Sequence, residues 1–365
     1  MLPSPDPIEA VSQRLDTFVG SQTLSAKAMG DEAERFTAVA ADALRGGKRL
    51  RARFCLTGWR AVAEAGGRPA ASAPEGVIAA AAALEVFHAA ALVHDDLIDN
   101  SDTRRGRPAT HRALEAVHRE SHWHGDAGAF GRSSAILLGD LLVAWSDDLL
   151  EEGLVTRPQA TASAARAEYA RMRRDVTVGQ FLDIAEESAF VTQPDDEHAE
   201  RALRVASLKS ARYSIQQPLL IGAALADADD AQHEALSAFG HPVGMAFQLR
   251  DDVLGVFGDA AVTGKPSGDD LREGKRTVLV AFAREALPAS SRRVFDELIG
   301  DPTLDDAQIA SLQSTIVDTG ALGRVEELIV DYARTADRAL SGARLGDEAR
   351  GELRDLARAA TTRSA

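Results

Sequence analysis

An all-α fold, a large single-domain helical bundle, follows from three features of the 365-residue sequence. Alanine dominates while aromatic residues make up only 5%. Apolar residues recur at three-to-four spacing, as in Ala79, Ala83, Val86 and Phe87 or Leu322, Val325, Leu328 and Ile329. No stretch sustains strand-like alternation closed by hairpin turns.

The individual elements follow in order. Ser72-Ala73-Pro74-Glu75 has capping-box spacing with proline in the first turn, and from it a helix runs through Ala79 to about Asp99. Gly46-Gly47 marks a further helix start at Lys48–Arg51. Long helices are predicted over 130–152, 158–187, 200–225 and 229–257, with shorter ones from 276 to the C-terminus. Short breaks rich in Gly, Pro or Asp separate them at 104–108, 193–196, 264–270 and 300–306. No repeat and no long linker divides the chain, so residues 1–365 read as one domain. Its motifs lie at about 44–277 and helices fill 278–365.

Composition narrows the function. With 45% hydrophobic residues the chain can bury a substantial core. The single Cys55 leaves no intramolecular disulfide and no cysteine metal cluster, as suits a reducing cytosol. A net charge of −15 argues against a nucleic-acid surface, though not against local anion sites. The N-terminus lacks the pattern of a secretory signal, and the apolar run Gly76–Val93 is interrupted by Glu85 and His88. No stable membrane anchor and a cytoplasmic location are therefore expected.

Two acidic clusters carry the chemistry. In LVHDDLIDNSD, Asp95 and Asp99 share a helix face with Asp96 beside them, and His88 sits one heptad earlier. Like charges packed this closely weaken a helix unless a cation joins them, and hard oxygen donors suit Mg²⁺ bridging to phosphate. A solvated helix end would explain one such cluster. The following Arg104-Arg105-Gly106-Arg107 shifts the balance toward a diphosphate site. In GMAFQLRDDVLG, Gln248, Asp251 and Asp252 again share one face, with Lys265 and Lys275 in the Gly-rich stretch beyond. Lys48 and Arg51 form a candidate second anion pocket. Lys209 reads alone as an ordinary surface lysine, and His122 and His124 as loop residues.

Taken together, GGKRLR, HDDLID with TRRGRP, GQFLD, LKSA, and FQLRDD with GDDLREGKRT resemble the trans-prenyl diphosphate synthases of the polyprenyl synthetase family. Actinobacterial geranylgeranyl diphosphate synthases are nearest in texture. The resemblance implies the isoprenoid-synthase bundle with a central active-site cavity and a homodimer. It implies about three Mg²⁺ ions per site, with Mn²⁺ as a substitute. In the implied reaction an allylic diphosphate (dimethylallyl, geranyl or farnesyl) ionises, isopentenyl diphosphate attacks the cation, and a proton leaves.

Carried over by position, Asp95 and Asp99, with Asp96 in support, and Asp251 with Asp252 would bind metal. Arg104, Lys209 and Lys265 would hold the allylic diphosphate. Lys48, Arg51, His88 and Arg105, near Phe247, would hold isopentenyl diphosphate. Gln180, Asp183, Ser210 and Gln248 would surround the reacting carbons. Ala90 and Ala91 are small where bulk shortens products, with Phe87 and Trp145 as deeper floors, which points to geranylgeranyl diphosphate. Farnesyl and longer products are the alternatives. A class I terpene cyclase has no use for Lys48, Arg51 and His88, and a non-catalytic subunit would be expected to lose one acidic motif. One departure stands out: the second motif reads DDxxG, with Gly255 where an aspartate is usual.

Overall fold

The computed structural model describes residues 6–68, 72–259 and 267–361, so Lys265 lies outside the described residues. Three helices open the chain: α1 (Pro7–Lys27), α2 (Asp31–Ala43) and α3 (Leu50–Ala65). The signal for α1 sits in Asp6-Pro7, where the Asp6 carboxylate accepts from the Ile8 N–H and Pro7 occupies the first turn.

Helix α4 (Glu75–Ile98) ends with Asp99 as its C-cap, as the sequence predicts, but it starts differently. Pro74 is the N-cap, with ψ 152°, and no side chain caps the helix. The expected capping box does not form because the residue before a proline is kept out of the helical region, so Ala73 cannot serve as a first-turn residue. Glu75 instead reaches Arg14 of α1 at 3.4 Å.

A two-stranded antiparallel hairpin follows, β1 (Thr103–Arg104) and β2 (Arg107–Pro108), turning through Arg105 and Gly106, both at positive φ. Next come α5 (Thr110–Glu120), α6 (Ala127–Leu154) and α7 (Gln159–Ala189). His122 and His124 fall in the turn between α5 and α6.

The predicted helix over 200–225 is three consecutive segments. They are α8 (His198–Val205), a π-helical stretch (Ala206–Gln216) and α9 (Gln217–Leu225). Pro218 supplies a physical reason. Its ring would strike the carbonyl four residues back in an α-helix, and it has no N–H to donate. Widening the preceding turn removes the conflict, and the Gln217 N–H reaches back five residues to the Arg212 carbonyl.

Helix α10 (Asp230–Phe257) begins with a formed capping box between Asp229 and Gln232. After α11 (Asp269–Glu273), the C-terminal helices are α12 (Val278–Ala286), α13 (Ala289–Leu298), α14 (Asp306–Asp318), α15 (Ala321–Leu340) and α16 (Asp347–Thr361).

Helix α4 runs through the main core and packs along α6, while α3 packs on α9. Leu84, Leu138, Leu142 and Tyr169 are fully buried there. A second core joins Leu249, Val253 and Val256 of α10 to Leu271 and to Leu279, Ile309 and Val325 of the C-terminal helices. Both α4 and α6 are long and apolar enough to cross a membrane by length and composition, which corrects the expectation that no stretch is. For α4 the apolar window is 78% buried inside the bundle, so its hydropathy serves the core. The α6 window is only 28% buried and leaves Ile136 and Leu137 exposed.

Candidate active site

A cavity of about 980 Å³ opens where the ends of α4 and α10, the start of α3, the β-hairpin, α7, the π segment and α11 meet. The two acidic pairs divide differently: Asp95 lines the cavity while Asp96 (3% exposed) is buried outside its wall, whereas Asp251 and the more buried Asp252 (7%) both line it. Arg104 Nε holds Asp96 at 2.7 Å, and Gln248 Nε2 donates to Asp252 at 2.6 Å. Asp96 is thereby corrected from supporting ligand to the anchor of Arg104.

Cations crowd the carboxylates of α4. Arg104 Nη2 reaches Asp95 at 3.2 Å, Gln180 Nε2 donates to Asp95 at 3.1 Å, and Lys209 pairs with Asp183 and lies 3.5 Å from Asp95. Lys275 donates to Asp99 at 2.6 Å. Burial opposes ionisation of Asp95, yet Lys209, Lys275 and Arg104 hold its carboxyl below the usual range. Lys209 and Lys275 are likewise held above the ordinary lysine value by the surrounding carboxylates, against burial. Asp252 behaves oppositely: burial, then the charge of Asp270, pushes its carboxyl well up. Glu187 on α7 rises to about 7 through burial and the nearby Asp183 charge.

The adjoining part of the cavity is basic, with Lys48, Arg49, Arg51, Arg104, Arg105 and His88 in its wall. Its construction starts at the turn into α3. Arg49 occupies the N-cap in the left-handed region, where its side chain caps nothing, and Glu85 of α4 takes over by accepting from the Ala52 N–H at 3.0 Å. That contact fixes the first turn of α3, from which Arg51 projects. Arg51 is 8% exposed, donates to Ser214 at 2.8 Å and stacks 4.2 Å over the Tyr213 ring. Its Nε has no hydrogen-bond partner among the described residues, an unmet buried donor suited to an anion. Gly47, at φ +89°, admits the Arg105 guanidinium: a Cβ there would sit 2.9 Å from Arg105 Nη1.

Crowded cations shape the electrostatics. Burial and then Arg51, Arg105, Arg104 and Arg49 push His88 well below the usual imidazole range, so the ring is neutral. Burial, Arg104 and Arg49 also lower Arg105. The Tyr213 hydroxyl lies 3.0 Å from His88 Nδ1, and as donor there it leaves Nε2–H free to bond an anion. Such mutual repulsion is relieved only by negative charge.

Of the remaining predicted residues, Ser210, Phe247, Gln248 and Ala91 line the cavity. Ala90, Phe87 and Trp145 do not, which corrects the chain-length set. Measured around α4 from Asp95, the wall spans Ala91 to Ala89, while Ala90 lies about 140° away and Phe87 about 80° to the same side. Phe87 packs edge-on against Tyr169 and Tyr213, at 6.3 and 5.9 Å, and Trp145 packs against Phe18 of α1 at 5.9 Å. The sequence reading missed Glu85, Tyr213, Ser214, Glu187 and Asp270. The signal for Glu85 was present, since an acid inside an alanine-rich core helix requires a partner.

The donor set fits Mg²⁺. Among the described residues no three acidic or imidazole groups converge tightly enough to bind an ion unaided. That suits an ion held by one or two carboxylates and completed by substrate phosphates. The ammonium groups of Lys209 and Lys275 already lie against these carboxylates as cations.

Comparison with known proteins decides the family: the polyprenyl synthetase model matches residues 33–316. The chain belongs to the polyprenyl synthetase family. With it comes the prenyltransferase class. A crystal structure of geranylgeranyl pyrophosphate synthase from Corynebacterium glutamicum, complexed with isoprenyl diphosphate and magnesium, superposes with a TM-score of 0.90. It has 39% identity and covers 98% of each chain. Geranylfarnesyl diphosphate synthase of Aeropyrum pernix is 32% identical over 314 residues, 85% of this chain and 88% of that one. The short chain isoprenyl diphosphate synthase of Methanocaldococcus jannaschii is 31% identical over 235 residues, 64% of each chain.

Proposed function

We propose that this polyprenyl synthetase condenses isopentenyl diphosphate with an allylic diphosphate, chiefly to make geranylgeranyl diphosphate. One observation carries the reading: the cavity joins two anion sites of different construction. One is built of carboxylates with bridging lysines, suited to a metal-bound diphosphate. The other is built of guanidiniums and a neutral imidazole, suited to a bare one. A reaction that ionises one diphosphate and keeps the other needs this distinction.

In this reading Asp95, Asp99 and Asp251 orient the allylic diphosphate, and Arg104, Lys209 and Lys275 bind its oxygens. Mg²⁺, bound by those carboxylates, would supply Lewis-acid stabilisation of the departing charge. Lys48, Arg51, Arg105 and the Nε2–H of His88 hold isopentenyl diphosphate beside the allylic carbon, which provides the proximity term. Each preorganised donor aimed at the departing diphosphate is worth about 3 kcal/mol of barrier. Gln180 and Ser210 are neutral, so they tolerate the adjacent carbocation. The small Ala91 in the wall and the Corynebacterium relative support a product beyond farnesyl.

Exposed Ile136 and Leu137 of α6, with Val178 and Phe181 of α7, support a homodimer formed through these helices. A cytoplasmic location belongs to the same reading. The direct test incubates the protein with Mg²⁺, isopentenyl diphosphate and each allylic primer, and sizes the products by mass spectrometry. Geranylgeranyl diphosphate is expected, and no elongation from any primer would overturn the assignment.

A further inference from the structure

A carboxylate stands inside the part of the cavity built for a bare anion. Among the described residues, the other carboxylates of the wall belong to the far end of α4, to α7, α10 and α11. Glu85 lies ten residues before Asp95, roughly 15 Å along α4, in the basic part. It is 5% exposed, its Oε2 is 3.7 Å from Arg49 Nη1, and its charge also acts on Arg105. Neither of its contacts needs that charge. The Ala52 N–H donates to Glu85 Oε1 at 3.0 Å, and the oxygen of a neutral amide would accept there as well. Arg49 already donates to the Leu44 carbonyl at 2.8 Å. What the charge does do is weaken the pull of Arg49 and Arg105 on any anion that enters.

The proposed reaction gives such a brake a purpose. The allylic partner loses its diphosphate on ionising, the double bond of isopentenyl diphosphate forms the new C–C bond, and a proton leaves to restore a double bond. The elongated chain therefore carries the diphosphate that entered through the basic part. That group must leave Lys48, Arg51 and Arg105 before the chain is released or receives another unit. We propose that Glu85 is the counter-charge that keeps this hold reversible, a positioning residue that acts through Arg49 and Arg105 without touching the ligand. This rests on the function proposed above.

The test titrates isopentenyl diphosphate into full-length protein by calorimetry, with EDTA present so that only the basic part binds. Glu85→Gln keeps an acceptor for Ala52 and removes the charge, and it is expected to bind about tenfold more tightly than the wild type. Structural damage would have the opposite sign. Should Glu85→Gln fold poorly by circular dichroism, Glu85→Gln/Arg49→Gln takes its place and must bind more tightly than Arg49→Gln. In quenched early time courses from dimethylallyl diphosphate and Mg²⁺, the charge-free variant should accumulate more geranyl diphosphate, the product of one addition, than the wild type. Unchanged or weaker binding without the charge, beside weakened binding in Arg51→Gln, would reject the role of Glu85 and leave the proposed function standing. Tighter binding with no added geranyl diphosphate would also reject it. Unchanged binding in Arg51→Gln would reject the basic part as the isopentenyl diphosphate site, and the proposed function with it.

Discussion

Replacing Lys275 with glutamine isolates how the site balances the charge of its own carboxylates. Lys275 Nζ donates to Asp99 at 2.6 Å and lies 3.5 Å from Glu273, and the Lys275 and Asp99 side chains are only 15% and 10% exposed. Removing one partner of so buried a pair costs about 3–5 kcal/mol. Because both side chains keep some exposure, the lower end, about 3 kcal/mol, is expected. At about 2.1 cal/mol/K of unfolding entropy per residue, a chain of this length loses roughly 4 °C of melting temperature. The diagnostic part is the response to Mg²⁺ without diphosphate. In the wild type a metal ion must displace Lys275 from Asp99, whereas in the variant the carboxylate is open to it. Differential scanning calorimetry should therefore show Mg²⁺ raising the melting temperature of Lys275→Gln more than that of the wild type. Equal Mg²⁺ shifts, or a variant that melts like the wild type, would refute the idea that Lys275 holds the metal's place.

Three further outcomes follow from the same geometry. Gly47→Ala forces a Cβ against Arg105 and strains a residue at φ +89°; steady-state kinetics should show KM for isopentenyl diphosphate rising severalfold with kcat little changed, at about 1–2 kcal/mol of stability. Because burial and four arginines depress the His88 pKa, unfolded chains take up a proton below about pH 6.5 that the folded state refuses. Stability should then fall as pH drops from 6.5, and His88→Gln should flatten that fall in urea titrations at stepped pH. Ala91→Phe places bulk on the cavity wall, and the products, sized by mass spectrometry, should shorten toward farnesyl while far-UV helicity stays at the wild-type level.

Much of this site was legible because helical spacing is a reliable ruler along α4 and α10. Asp95 with Asp99, and Gln248 with Asp251, fall on cavity-facing stripes as their spacing requires. The same ruler explains the chain-length errors. Ala90 and Phe87 were placed by distance along α4, and their angle around it turns them into the core. The π-helical stretch was illegible, since an apolar pattern of 3.6 periodicity carries no sign of a widened turn. Tyr213 and Ser214 were lost with it, although Pro218 marked the place. Lys275 was visible beside Lys265 but had no ground for preference until Asp99 was seen to face it.

The central claim is that two unlike anion sites share one cavity. It is tested most directly by a crystal structure with Mg²⁺, isopentenyl diphosphate and an unreactive allylic thiodiphosphate. The account predicts the thiodiphosphate between Asp95, Asp99 and Asp251, and isopentenyl diphosphate against Lys48, Arg51, Arg105 and His88. Both ligands in one of these sites, or either bound outside the cavity, would contradict it.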